Sequence, residues 1–494
     1  MSQIKISNLT FSYDSGVDYI FKDVSLTLDT DWKLGLIGRN GKGKTTLLKL
    51  LMGKMEYKGT ISSSVKYTYF PFDIKDKTLS VREIARGIIP GYKEWKLLRE
   101  LSLLEVREDA LDIPMEKLSM GEQTKVMIAC MFLGDNNFLL IDEPTNHLDV
   151  RGRNTVSKYL NSKKGFILVS HDRAFVDGCT DHILSINRTS IDLIKGNYTT
   201  FKRISEEKQL RELSENERLK KEITRLEQSA KRTVGWAQDT EKTKKSGKDS
   251  SGLHPDRGFI GRKSAKLMKS AKNFEARRSK AITEKSGLLK DSERQEELIM
   301  RPLVFFKNPL ITLREVSLFY GGKLICENIS FDVFANERVC ISGRNGSGKS
   351  TLLSLIMGGQ VEHKGELIYN KNLIFSHVPQ QFRDLEGSLY DICGKEDLDE
   401  TIFFTNLAQL GVAGEHFDED AASFSDGQKK KVLLAISITK SAHVYIWDEP
   451  LNYIDVISRE QIEKMLLKYA PTLIYVEHDA SFNENIATKR IELN

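Results

Sequence analysis

Two octapeptides carry the residue types that grip phosphate. Residues 38–45 read GRNGKGKT and residues 343–350 read GRNGSGKS, each a glycine-rich loop ending in lysine and a hydroxyl residue after an apolar run. In the first, Gly38, Asn40, Gly41 and Gly43 let backbone N–H groups close round phosphates. Lys44 reaches the terminal oxygens, Thr45 offers a hydroxyl to Mg²⁺, and Thr46 follows in the opening helix. Gly343, Asn345, Gly346, Gly348, Lys349, Ser350 and Thr351 repeat the set. Downstream, FLLIDE and VYIWDE each read as a buried strand ending in Asp-Glu. Asp142 and Asp448 can serve a Mg²⁺ ion. Glu143 and Glu449 fall beside the γ-phosphate, where a carboxylate polarises an attacking water while the lysine meets the developing charge. A lone glycine loop is commonly a turn, and a lone strand-end carboxylate commonly a helix cap. Two of each, in the same order, point to nucleoside triphosphate hydrolysis.

The elements that must position these residues are themselves duplicated. KLSMGEQTKVMIA recurs as SFSDGQKKKVLLA, FLLIDEPTNHLDV as VYIWDEPLNYIDV, and VSHDRAF as VEHDASF. The offset is 305 between Lys44 and Lys349, 306 between Ser119 and Ser425, and 307 between His171 and His478. Four motifs at nearly constant offset make the chain two copies of one domain, residues 1–197 and 304–494. Apolar β-branched runs such as WKLGLIG, RVCISG, FILVS and TLIYV alternate with helical periods, so each copy is α/β.

Between the copies, residues 198–303 have no counterpart. Leu219, Ile223, Leu226, Ala230, Val234 and Ala237 recur every three or four residues, giving a helix with one narrow apolar seam. A helix from 200 to 238 would reach about 58 Å. A Gly-, Ser- and Lys-rich tip at about 239–262 and a second, weaker helical pattern complete an expected hairpin. The whole chain carries 74 basic and 69 acidic residues, but 231–280 carries 15 against 5. Lys242, Lys244, Lys245, Lys248, Arg257, Arg262, Lys263, Lys266 and Lys269 flank Phe259 there. Basic side chains attract phosphate and an aromatic stacks on unpaired bases, which fits RNA; the plain alternative is a solvated coiled coil. Trp236 fits a closing apolar seam equally well. Five scattered cysteines form no CxxC pair, and no apolar run or secretory pattern marks export or a membrane span, so a reducing, cytoplasmic setting is expected.

With these motifs in hand, the sequence resembles the ATP-binding cassette family over both domains. LSMGEQ and FSDGQK are similar to its signature, EPTNHLD and EPLNYID to its D-loop, and His171 and His478 to its switch histidines. The resemblance implies ATP and Mg²⁺ as cofactors and intramolecular head-to-tail pairing in a monomer. Each ATP would lie between one phosphate loop and the other copy's signature: Lys44, Thr45, Asp142, Glu143 and His171 facing Ser425 and Gly427, and Lys349, Ser350, Asp448, Glu449 and His478 facing Ser119 and Gly121. Tyr13 and Tyr320 resemble the adenine-stacking aromatic, with a core tyrosine as the rival reading. HVPQQ puts Gln380 at the family's Q-loop glutamine, a further metal ligand; YFPF puts Phe72 there in the first copy, and phenylalanine can neither bind Mg²⁺ nor orient water.

Three jobs fit doubled cassettes without a membrane span: a membrane importer's ATPase, a coiled-coil DNA-repair ATPase, and a translation factor of the ABC-F type. An importer needs no basic hairpin, and a repair ATPase splits one cassette round its insert. GNYTTF at 196–201 resembles the ABC-F junction. Phe72 to Ser119 spans 47 residues and Gln380 to Ser425 spans 45, leaving no room for an inserted arm. That resembles the antibiotic-resistance members of the Lsa and Vga type. The resemblance implies a ribosome-associated protein bound at the exit-site region of the bacterial 70S ribosome, contacting 23S rRNA and P-site tRNA but no membrane or DNA. Its linker tip would release antibiotics from the peptidyl-transferase centre. An ABC-F translation factor without a drug role is the alternative.

Overall fold

A computed structural model describes residues 2–13, 19–134, 137–146, 148–187, 190–245, 297–344, 346–380 and 385–493. By internal contacts the chain forms two units, Met1–Phe201 with Glu296–Asn494, and Lys202–Gln295.

The first unit holds both cassettes. In the first copy an antiparallel sheet orders β2 (Phe21–Asp29), β1 (Gln3–Phe11) and β4 (Lys58–Ser62). Beside it runs a six-stranded sheet, β5 (Lys66–Phe70), β6 (Asn137–Asp142), β7 (Phe166–Val169), β3 (Lys33–Ile37), β8 (His182–Ile186) and β9 (Ile191–Lys195). All its pairs are parallel except β8 with β9. The second copy repeats this. Its antiparallel sheet orders β11 (Lys323–Val333), β10 (Ile311–Tyr320) and β13 (His363–Tyr369). Its parallel sheet orders β14 (Phe375–Val378), β15 (Val444–Asp448), β16 (Leu473–Val476), β12 (Arg338–Gly343) and β17 (Lys489–Leu493).

The central strands read as unbroken apolar runs because both faces are covered, as parallel sheets require. Leu139 and Ile141 of β6 join the helical core on one face, and Phe138 and Leu140 the antiparallel layer on the other. Burial on both faces leaves the strand ends as the place for polar chemistry. Crossover connections run from both sides of β3, and open α/β sheets bind ligands at the carboxyl ends of strands where connections diverge. Ile37 and Gly343, which end β3 and β12, lead directly into the two phosphate loops.

Both ends of the expected linker, 198–303, pack on the cassettes. Tyr198 is buried and Phe201 partly buried in the first cassette's core. Leu298 and Met300 are buried in the second cassette's core. The Ile299 amide donates to Asn406 Oδ1, and Leu303 N–H to the Ala442 carbonyl. An apolar side chain goes where it leaves water, whichever side of a compositional boundary it lies on. The helix Tyr198–Lys245 has 48 residues, and continues past the 238 anticipated from periodicity. The return half of the expected hairpin and its tip residues Lys248, Arg257, Phe259, Arg262, Lys263, Lys266 and Lys269 lie outside the described residues, as does Asn345. Lys242, Lys244 and Lys245 lie on the helix's last described turn.

Candidate active site

Each phosphate loop turns into its helix through a glycine in left-handed conformation, Gly43 at φ 94° before Lys44–Leu51 and Gly348 at φ 87° before Lys349–Ile356. A Cβ at Gly43 would lie 2.6 Å from Ile20 Cγ2, and one at Gly348 would lie 2.8 Å from Ile325 Cγ2, so glycine is required twice over. The lysine ammoniums lie along their own loops. Lys44 Nζ donates to the Gly38 carbonyl at 2.7 Å and to Asn40 Oδ1 at 3.1 Å; Lys349 Nζ donates to the Gly343 and Arg344 carbonyls, each at 2.9 Å. Burial pulls both ammoniums below the ordinary lysine pKa, against the carboxylates nearby.

The strand-end carboxylates meet those loops. Thr45 Oγ1 donates to Asp142 Oδ2 at 3.0 Å, and Ser350 bonds Asp448 in the second copy. Glu143 and Glu449 both adopt left-handed backbone, φ 49° and 46°. Such residues persist where their surroundings dictate them; here their N–H groups donate to Val169 and Val476 on the neighbouring strands. The environments of the two glutamates then diverge. Burial, reinforced by Asp142, pushes the Glu143 carboxyl up to about 8. His171 Nε2 stands 3.4 Å from its Oε1 without a hydrogen bond to it, and that oxygen has no partner. Burial and nearby cations hold His171 itself well below the ordinary histidine value. Glu449 is buried too, but a 2.7 Å hydrogen bond from Asn452, with His478 Nε2 3.6 Å away and Gln380 beside it, outweighs burial and brings its carboxyl down to about 2. Phe72, at the place corresponding to Gln380, packs against the first cassette's core instead.

Two cavities, each lined by both copies, hold most of these residues; Gly38, Gly343 and Asp448 line neither. The first, about 710 Å³, brings Tyr13, Asn40, Gly41, Gly43, Lys44, Thr45, Thr46, Asp142, Glu143 and His171 together with Ser425, Gly427, Gln428 and Tyr453. The second, about 620 Å³, gathers Tyr320, Gly346, Gly348, Lys349, Ser350, Thr351, Gln380, Glu449 and His478 with Met120. Ser119 and Gly121 flank that Met120 but do not line the cavity. Ser119 and Ser425 each cap their helix in a capping box, with Glu122 and Gln428 as third residues. Tyr13 donates or accepts a 2.9 Å bond with Thr46 Oγ1, while Tyr320 is 79 % exposed at its cavity's rim.

Sequence reasoning missed several contributors. Asn146 lines both cavities. Asn40 Nδ2 donates to the Tyr453 carbonyl at 2.8 Å across the copies, and Asp455 is salt-bridged to Lys431 at 3.1 Å in full burial. These lie in or beside the D-loop and signature segments, so their signal was position within a motif. Tyr69, whose Oη donates to Asp142 Oδ2 at 2.9 Å, had no such flag.

For Mg²⁺ the donor set fits. Each site offers a hydroxyl and carboxylate oxygens, the hard ligands this ion takes. Buried Asp448 Oδ1 and Glu143 Oε1 lack any partner. Among the described residues no three His, Cys, Asp or Glu could hold a metal ion by themselves.

Phosphate loops opposed by signature helices from the other copy define a paired ATP-binding cassette. A family model described as ABC transporter matches residues 21–146 and 326–452, just over half of the chain: it belongs to that family and is an ATPase. Its relatives include a protein named as a member of the F family. The chain is 28% identical to ribosome protection protein VmlR of Bacillus subtilis, over 98% of this chain and 85% of that one. It is 27% identical to erythromycin resistance ATP-binding protein MsrA of Staphylococcus epidermidis, over 93% and 92%, and 24% identical to ABC transporter F family member 5 of Arabidopsis thaliana, over 100% and 75%. Among solved structures, the complex of archaeal ribosomal stalk protein aP1 and ribosome recycling factor aABCE1 matches with a TM-score of 0.64 at 20% identity, covering 98% of this chain and 87% of that one. That likeness shows the fold. Among the described residues no helix is long and apolar enough to cross a membrane.

Proposed function

We propose that this ATPase is a ribosome-protection protein of the cytoplasm. In this reading its cassettes close on ATP at the exit-site region of the bacterial ribosome, and its linker releases antibiotics from the peptidyl-transferase centre. The observation that carries the reading is the match to VmlR across nearly the whole chain. The MsrA relative, of similar identity, supports it.

In the proposed mechanism, Lys44 and Lys349 leave their loop carbonyls for the β- and γ-phosphates, and loop N–H groups hold the remaining oxygens. Thr45 with Asp142, and Ser350 with Asp448 and Gln380, would hold Mg²⁺, which supplies charge neutralisation on the phosphates when bound. Glu143 and Glu449 accept a proton from the attacking water, and His171 and His478 fix its position from the other side. Ser425 and Gly427 supply donors to the nucleotide of site one, and Ser119 and Gly121 to that of site two, once the copies close. Tyr13 and Tyr320 stack on the base.

Glu143→Gln with Glu449→Gln removes both bases while leaving the phosphate ligands in place. The double variant, sedimented with bacterial ribosomes, is expected to pellet far more with ATP than without. Equal pelleting would sink the ribosome reading, and ATP-dependent capture by membrane vesicles instead would favour an importer ATPase.

A further inference from the structure

One polar contact at the first site has no role in the mechanism above. Tyr69 lies on β5, opposite Leu140 in the parallel register with β6 and two residues from the strand end that carries Asp142. Its Oη donates to Asp142 Oδ2 at 2.9 Å, the same oxygen that accepts from Thr45 at 3.0 Å. The ring is part-buried beneath the Lys54 ammonium, 6.0 Å from its centroid. The copies differ at this point. In the register of β14 on β15 the position is His377, opposite Ile446, and Asp448 keeps one buried oxygen with no partner. The copies differ again three residues later, where Gln380 reaches Glu449 but Phe72 lies in the core.

We propose that Tyr69 is a positioning residue for Asp142, fixing this carboxylate for the divalent ion at the first site, the site without a Q-loop glutamine. A carboxylate that accepts two hydrogen bonds on one oxygen is held in a single rotamer, and its other oxygen is left directed away from both donors. Burial disfavours the charged form of Asp142, and charge-assisted donors offset that cost. The first site thus orients its metal-binding carboxylate from the neighbouring strand, while the second has a glutamine at the Q-loop. The inference rests on Asp142 serving the ion, as proposed above.

Manganese titration followed by electron paramagnetic resonance tests this on the full chain with a non-hydrolysable ATP analogue, in an Asp448→Asn background that silences the second ion. Tyr69→Phe removes one oxygen and no carbon, so packing of the ring is kept. Its Mn²⁺ affinity is expected to fall about tenfold to a hundredfold, the range for one lost hydrogen bond to a charged group. Affinity for the analogue without metal should stay unchanged, which a general loosening of the site would not allow. Tyr67→Phe, two residues earlier on the same face of β5, should alter neither. Equal or tighter Mn²⁺ binding by Tyr69→Phe overturns the proposal. If Asp142→Asn also leaves Mn²⁺ binding unchanged, the fault lies with the assignment of Asp142 and not with Tyr69 alone.

Discussion

At the scale of residues, the two sites share their atoms but not their proton affinities. Glu143, pushed up to about 8 by burial and Asp142, is largely protonated at pH 7, whereas Glu449, brought down to about 2, is ionised throughout. A general base must be ionised to accept a proton. Glu449→Gln, which leaves only the first site, is therefore expected to lower ATPase at pH 7 more than Glu143→Gln does. Its residual rate should climb severalfold between pH 7 and 8.5, while that of Glu143→Gln stays flat over the same interval. Steady-state phosphate release across pH decides it; equal losses with parallel profiles would refute the asymmetry. Stability follows with the opposite trend. From its ordinary value of 4.5 up to about 8, Glu143 holds more proton folded than unfolded, so its contribution falls as pH rises through that window. The melting temperature of Glu143→Gln should gain on wild type from pH 5 to 8. Much of this site was legible from residue types: the two loops, the Asp-Glu pairs and the Phe72 substitution are local patterns. The Tyr69–Asp142 bond was not, because it joins adjacent strands distant in sequence, and an aromatic at a strand position reads as core.

At the scale of elements, the copies are joined by contacts that the repeat does not mirror. Arg173, in the first turn of Arg173–Cys179, is salt-bridged to Glu463 on Val456–Tyr469 of the second copy, with both side chains buried. The matching residue in VEHDASF is Ala480. Tyr198, the first residue of the linker helix, donates to Glu460 one turn earlier on that same helix at 2.9 Å. Apolar spacing is local and cannot say which charged positions of a helix face the other copy. Nor does it say that Tyr198, Leu298 and Met300, at the ends of the expected linker, are buried by residues far away in the chain. Arg173→Ala leaves the Glu463 carboxylate buried without its principal partner, a change that costs about 3–5 kcal/mol where a buried pair is broken. Urea unfolding should show that loss, and Arg173→Ala with Glu463→Gln should recover a good part of it. A single variant within 1 kcal/mol of wild type, as for a surface pair, would show that the contact does not hold the copies together.

At the scale of the whole molecule, charge and chemistry are carried by different segments. The chain is close to neutral, yet residues 231–280 hold 15 basic and 5 acidic side chains, while the described residues that line the nucleotide cavities all belong to the two cassettes. Hydrolysis and polyanion contact should therefore be separable by substitution. Replacing residues 242–260 with a short Gly-Ser turn removes Phe259 and five of the basic residues, and leaves every phosphate, metal and signature residue in place. Basal ATPase is expected to survive within about twofold, roughly 0.4 kcal/mol of barrier. Protection of in vitro translation against lincosamide, pleuromutilin and streptogramin A drugs should be lost. Phe259→Ala alone should weaken protection to a degree that depends on the drug, because a lost base stack costs on the order of 1–3 kcal/mol. Purified wild type, loop-replaced and Phe259→Ala proteins would be compared for ATPase rate and for translation in the presence of each drug. Undiminished protection by the loop-replaced protein would remove the tip from the function. Failure of wild type against every drug tested would leave an ABC-F translation factor with no drug role, in which the same basic segment serves ribosome binding alone.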